Sequence, residues 1–259
     1  MTVSTAGPDT IATEEASWWE RDRRTFLLAE VRGLAPRRVL DAGCGRGSYA
    51  AELAEGIDLV VAVDGHVFEE WRSRERPARL AFVQASVDSL PFKHGAFDVA
   101  LALDVIEHLP EDLPPLAELR RVTARTGVVG ISVPAHRRLW SLHDESVGHL
   151  RRYGRVELER SLRRAHLATV RSTHFFSWLT VPAWFLRDSG LRSSGASGRP
   201  GRAMGPISHV LSCVERRLAR GRHLPLGTSL WALARPSGPL DEVTGGPGHG
   251  RPPEPAPPR

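Results

Sequence analysis

Three aspartates close apolar runs in this chain: Asp41 after Val39-Leu40, Asp64 after Leu59–Val63, and Asp104 after Val99–Leu103. Asp41 leads directly into Gly43, Cys44, Gly45 and Gly47. Glycines at a strand-to-helix turn take positive φ and let the backbone approach a ligand that a Cβ would exclude. The residue register then narrows the ligand. A dinucleotide fingerprint needs G-x-G-x-x-G, and Ser48 stands where its third glycine belongs. No G-x-x-x-x-G-K-[ST] phosphate loop is present, and Asp41 would repel a pyrophosphate. A carboxylate beside bare backbone suits a ligand with a cationic amine and no phosphate. The competing reading of Asp41 is a plain helix cap.

S-adenosylmethionine is such a ligand. An acidic residue ending a second strand, as Asp64 does, takes ribose hydroxyls in open α/β sheets, or else is an ordinary turn acid. A second group of reactive side chains lies downstream, in Pro134–Tyr153: His136, Trp140, His143, Asp144, His149, Arg151, Arg152 and Tyr153. These can bind an acceptor and move its proton. His143 and His149 stand at no familiar metal-ligand spacing, so no metal is assigned to them. His108 reads either as a structural residue at a helix start or as a base.

The elements that must position these groups alternate. Apolar runs at 59–63, 80–85, 97–103 and 127–133 read as strands, with helical stretches between, the first at Ser48–Glu55. Right-handed crossovers then give a parallel sheet covered on both faces, an α/β fold. Glu14–Gly33 is an amphipathic helix whose Trp18, Trp19, Phe26, Leu27 and Val31 fit a helical period. Leu226–Ala234 reads as a last strand.

The strings V-L-D-A-G-C-G-R-G at 39–47, the acidic strand end at 64, Ala85–Phe92 and D-V-I-E-H-L at 104–109 occur in order. Together they resemble class I S-adenosylmethionine-dependent methyltransferases of the small-molecule and lipid type, over residues 37–135 and more weakly to Arg235. The resemblance implies a Rossmann-like, doubly wound seven-stranded sheet, mostly parallel, with an antiparallel last strand beside strand five. It implies that Asp41, Gly43 and Gly45 line the methionine moiety, and that Asp64 with Gly65 holds the ribose. Val87 would give backbone contacts to adenine, and Asp104 would face the acceptor. Ser86 stands where the family often has an acid for the adenine amine, so Ser86 or Asp88 takes that contact. A helix before strand one often folds over the cofactor as a lid, which gives Trp18 and Trp19 a substrate-side role and lets Arg21 or Arg24 meet a carboxylate. The string L-W-S-x-x-D-x-x-x-G-H-x-R-R-Y at 139–153 is similar to one in a subgroup associated with glycan and lipid-linked sugar pathways. His136, Trp140, Arg152 and Tyr153 are then substrate candidates. If the acceptor is a hydroxyl, His143, His149 and His108 are the candidate bases, with Asp144 orienting one of them.

Composition bounds the remainder. The 259 residues support one domain over 14–235, with residues 136–160 as a substrate-loop insertion and 192–205 as a mobile loop. Residues 1–13, which carry neither a basic nor an apolar signal region, and the Gly- and Pro-rich 236–259 read as disordered. Two distant cysteines without a C-x-x-C pair suggest a reducing cytoplasm. The net charge of +5 comes largely from scattered arginine pairs, and no base-readout motif accompanies them, so nucleic acid is disfavoured as a partner. The place of a [DNS]-P-P-[YFW] motif holds Asp104–Glu107, and Asp112–Pro115 reads as a helix entry. The aromatic run Phe175–Leu186 is too short to span a bilayer and reads as core or as a surface touching membrane or a lipid-linked substrate. Besides a methyltransferase of small-molecule, glycan or lipid-linked acceptors, a silent S-adenosylmethionine-binding partner subunit and an NAD-dependent oxidoreductase remain. Ser48 and the absence of a Y-x-x-x-K pair count against the last.

Overall fold

The computed structural model describes residues 18–72, 77–180, 205–219 and 223–238. Residues 1–13, most of the 192–205 loop, residues 181–186 of the aromatic run and the proposed tail from 239 lie outside them; the first residues of that tail are ordered, because Pro236 pairs with Leu167 and the Ser237 N–H donates to the His166 carbonyl at 2.8 Å.

Seven strands form one sheet in the order β3-β2-β1-β4-β5-β7-β6. They are β1 (Arg38–Ala42), β2 (Leu59–Asp64), β3 (Leu80–Gln84), β4 (Phe97–Leu103), β5 (Thr123–Pro134), β6 (Leu167–Phe175) and β7 (Ser229–Pro236). β1 pairs parallel to β2 and β4, β2 to β3 and β4 to β5, while β7 inserts antiparallel between β5 and β6. The order reverses at β1, so the C-terminal ends of β1 and β4 flank a crevice where open α/β sheets bind ligands.

The period of two explains why the interior strands are almost wholly apolar. In β2, Val60 and Ala62 face one hydrophobic layer while Val61 and Val63 face the other. The same split separates Val99 and Leu101 from Ala100 and Ala102 in β4. A sheet covered on both sides has no solvent face to make polar. One layer is closed by α1 (Trp18–Arg32) and α2 (Ser48–Ala54), through Leu27, Val31, Ala50 and Leu53. α3 (Leu113–Val122) and α5 (Arg155–Arg164) close the other, through Leu116, Leu119, Leu158 and Leu162. Between them stands the five-residue α4 (Leu142–Ser146), and α6 (Gly205–Ala219) packs beside α1. Pro114 and Pro115 sit in the first turn of α3, where a missing N–H costs nothing.

α1 is tied down along its length. Arg24 pairs with Glu52 of α2 at 2.7 Å, and Glu30 accepts from Arg171 at 2.6 Å and from the Trp231 indole at 3.1 Å. Phe26 stacks on Phe175 at 4.6 Å. The apolar stripe of this helix is therefore core packing, and the Trp18 and Trp19 side chains lie outside the described residues.

The aromatic run is divided between a strand end and a helical turn. Strand six lies earlier than the aromatic run and takes only Phe175 from it, because the apolar run continues as a helical turn at 177–180. Within the described part of that run, Phe175, Phe176 and Thr180 are buried, which is the core reading.

Candidate functional site

The β1–α2 turn is held open by its own backbone. Gly43, Gly45 and Gly47 have φ of 81°, 54° and 82°. A Cβ on Gly43 would fall 2.4 Å from Val105 Cγ2, whereas one on Gly45 would meet nothing within 4 Å. Gly43 is thus required by close packing, and Gly45 leaves an open cradle. Asp64 stitches the turn to β2: it accepts from the Gly45 N–H at 2.9 Å and from its neighbour His66 N–H at 3.0 Å.

Asp41 is 2% exposed at the end of β1. Burial, with Asp64 adding to it and Arg23 opposing it, pushes its carboxyl up to about 7. A buried carboxylate in this state gains from any cation brought to it. Gly65 leaves Cβ space unfilled at the β2 end, and its carbonyl accepts from Gln84 Nε2 at 3.1 Å. Past β3, Ser86 and Asp88 are exposed and Val87 is half-buried.

Asp104 caps β4 with φ 55°, a conformation uncommon outside glycine. It is fixed by Arg23 at 2.5 Å and by the Ser132 hydroxyl at 2.8 Å, and Arg23 also donates to that hydroxyl at 3.0 Å. The arginine that reaches the site is therefore Arg23. Arg21 is exposed, and Arg24 is engaged with Glu52. Helical phase could have found it, since Arg23 shares the buried stripe of Leu27 and Val31.

After Asp104 the chain makes a short turn, Ile106–His108. Glu107 is wholly buried, and neither carboxylate oxygen has a hydrogen-bond partner. Burial, and then the nearby Asp104, hold its carboxyl well above the usual carboxylate range. His108 is half-buried, with Nδ1 3.2 Å from the Gly148 carbonyl, and burial pushes its pKa down.

The loop after β5 closes over this turn. Asp144, fully buried on α4, accepts from Ser141 N–H and Oγ, from His149 Nδ1 at 2.8 Å, and from Arg152 Nε and Nη2 at 2.7 and 3.0 Å. Burial would raise this carboxyl, but those bonds and the Arg152 charge outweigh it and hold it well below the ordinary range. His149 is thereby aimed: its ring lies 4.8 Å edge-on from His108, and its Nε2 is 3.9 Å from Glu107 Oε1.

The sequence candidates therefore separate. His108, Asp144 and His149 come together beside Asp104, whereas His143 is exposed on α4, outside that group. Arg152 and Tyr153, expected to touch substrate, build the loop: Arg152 clamps Asp144, and Tyr153 is 1% exposed with its hydroxyl 3.5 Å from the Ile106 carbonyl. His136 (φ 59°) stacks on His174 at 5.1 Å, and Trp140 is exposed with its indole bonded to Glu145 at 3.2 Å. Besides Arg23, sequence reasoning missed Glu107, which sits inside the D-V-I-E-H-L string three residues past Asp104, and Tyr49, whose buried hydroxyl has no hydrogen-bond partner.

Comparison with known proteins agrees with this geometry. Residues 40–131 match the family model described as a methyltransferase domain. A probable S-adenosylmethionine-dependent methyltransferase of Mycobacterium tuberculosis is 32% identical over 120 residues, 46% of this chain and 43% of the relative. The chain thus spans less than half the length of that relative. The ubiquinone biosynthesis O-methyltransferase of Methylococcus capsulatus is 28% identical over 70% of this chain and 78% of its own. Among solved structures, the 1,6-didemethyltoxoflavin-N1-methyltransferase of Burkholderia thailandensis, bound to S-adenosylhomocysteine, superposes with a TM-score of 0.55 at 22% identity, over 86% of this chain and 80% of that one. Fold, ordered motifs and relatives converge: residues 40–131 match a methyltransferase domain, and the chain is similar in sequence and fold to S-adenosylmethionine-dependent methyltransferases.

Proposed function

We propose that this chain transfers a methyl group from S-adenosylmethionine to an oxygen of a small-molecule, sugar or lipid-linked acceptor. Asp41 and the backbone of Gly43 and Gly45 would hold the methionine end, Asp64 and Gly65 the ribose, and Ser86 and Val87 the adenine. The fit is supported by the open cradle at Gly45 and by a buried Asp41 that gains from a cationic amine. Bound there, the cofactor supplies the methyl group and its own leaving sulfur.

The chain's residues then have two tasks. Asp104, pinned by Arg23 and Ser132, marks the border between cofactor and acceptor. Holding the two reactants in line can supply roughly 7–11 kcal/mol of the barrier. A hydroxyl acceptor must also lose its proton, and one observation carries this half of the reading. His149 is held through Nδ1 by a buried carboxylate and turns Nε2 toward Glu107, three residues past Asp104. Such a pairing fixes the tautomer and leaves Nε2 free to accept.

The test uses labelled S-adenosylmethionine and a panel of hydroxyl, carboxylate and amine acceptors. His149→Ala is expected to lose roughly 10²–10⁴-fold in turnover on hydroxyl acceptors. Its affinity for S-adenosylhomocysteine by calorimetry should stay within about twofold of the parent, because no residue assigned to cofactor is touched. Label appearing only on amines refutes the oxygen reading; label on carboxylates but on no hydroxyl, or full turnover in His149→Ala, refutes the base role of His149.

A further inference from the structure

Both histidines beside Glu107 are anchored through the same ring atom. Nδ1 of His149 meets the Asp144 carboxylate at 2.8 Å, and Nδ1 of His108 meets the Gly148 carbonyl at 3.2 Å. Each acceptor fixes a tautomer with the proton on Nδ1, leaving a lone pair on Nε2. Histidines that ligate metals are oriented in just this manner, by an outer carboxylate or carbonyl on the opposite nitrogen. Glu107 supplies the third group, a carboxylate with no exposure and no hydrogen-bond partner on either oxygen. Left ionised and alone, such a group costs several kcal/mol. One ligand atom from each of Glu107, His108 and His149 lies within 4.8 Å of the other two.

We infer that Glu107, His108 and His149 form a binding site for a divalent transition-metal ion of the zinc type. Two imidazoles and one carboxylate suit zinc and its neighbours better than magnesium or calcium, which favour all-oxygen sets. Three protein ligands leave a coordination position open. Ligand bonds of about 2.0–2.2 Å bring donor atoms to roughly 3.4 Å from one another in a tetrahedral site. The cluster therefore closes by a little over 1 Å on binding, which rotation of the half-buried His108 can supply. Sequence spacing pointed to His143 and His149 and found no ligand pattern. The pair that meets is His108 and His149, brought together by the return of the loop after β5.

The site lies on the acceptor side of Asp104, so its open position would take an acceptor oxygen and favour its deprotonation. This consequence rests on the methyl-transfer reading; the binding of the ion does not. With the ion in place His149 is a ligand, and the proton of the acceptor leaves to solvent. The acceptor class narrows to compounds with an ionisable hydroxyl that can reach a metal.

The experiment uses the full chain without a histidine tag, stripped with chelator and titrated with zinc by calorimetry and with cobalt by its visible absorption bands. One equivalent should bind. Glu107→Gln, His108→Ala and His149→Ala should each weaken binding at least tenfold, and Asp144→Asn by roughly 10–100-fold as an outer partner. His143→Ala, exposed on α4, should bind as the parent does. S-adenosylhomocysteine affinity, measured on every variant, reports that the fold is intact. Absence of saturable binding, or equal affinity in the Glu107 and histidine variants, overturns the site. If no metal binds yet His149→Ala loses turnover, the base reading stands and the metal site falls. If metal binds as expected but neither hydroxyl nor carboxylate acceptors are methylated, the site stands and the oxygen reading falls.

Discussion

The turn after β1 and the loop after β5 end at the same edge of the sheet, and they are built by different means. The first is held by backbone geometry and short-range bonds, with Asp64 reaching Gly45 across 19 positions. Its buried acid, Asp41, is left with a raised carboxyl. The second is held by side chains converging on Asp144, whose carboxyl is lowered, and by reach-backs such as Arg151 to the Leu109 carbonyl across 42 positions. One buried aspartate keeps a raised carboxyl, and the other already has its partners. A region of the first kind is poised for a ligand at a cost to stability, and one of the second kind stabilises the architecture around it.

The largest expected effect follows from Asp41. Because its folded value is raised to about 7, the protonated carboxyl is favoured by folding. The stability this lends is whole below the unfolded value near 4, declines as pH rises, and is gone above about 7. A shift of this size corresponds to roughly 4 kcal/mol. Asp41→Asn should therefore be more stable than the parent at pH 8, with little difference at pH 4, in thermal melts without cofactor. The same variant should lose cofactor affinity. In the parent, that affinity should strengthen as pH rises through 7, since the cationic amine selects the ionised carboxyl. Parallel melting curves for the two proteins across this range would break the contrast.

Asp144 predicts the opposite sign. Asp144→Ala leaves the Arg152 guanidinium and His149 without their acceptor and should cost about 3 kcal/mol, near the lower end for breaking a buried pair. At this chain length that is a fall of roughly 10 °C in melting temperature. In the parent, the stability from Asp144 is present above the unfolded carboxyl value near pH 4 and is lost as pH falls below it. The variant should lack that acid limb. An unchanged melting temperature would mean that the loop's side-chain web contributes nothing to the fold.

The same contrast explains what could be read from sequence. The turn was legible because its determinants are contiguous: alternating glycines, an aspartate at each strand end, and β-branched runs that bury both faces. Strand limits for β2 and β4 match those of the structure within a residue for the same reason. The acceptor side was legible only as a list of reactive residues. Which of them meet depends on how the loop folds back over Ile106–His108, and periodicity carries no such information. Hence His143 and His149 ranked alike in sequence, while the structure sets one half-buried beside Glu107 and leaves the other exposed. Arg23 was passed over for Arg21 and Arg24 because a cation on a core stripe looks out of place until its carboxylate, 81 residues on, is in view.

The smallest effects separate packing from ligand contact within the turn itself. Gly43→Ala meets both a positive φ, worth roughly 1–2 kcal/mol, and a clash with Val105, worth about 1–3 kcal/mol. It should destabilise by about 2–3 kcal/mol, because Val105 is half-buried and can give way in part. Gly45→Ala meets only the φ penalty and should cost about 1 kcal/mol. If Gly45 lines the cofactor, its methyl group fills the space where the ligand approaches, and affinity for S-adenosylhomocysteine should fall at least tenfold. The two alanines would then rank in opposite order for stability and for binding loss per unit of stability lost. Equal affinity in Gly45→Ala and the parent would move the cofactor off this turn, and would leave Asp41 without the cation its burial calls for.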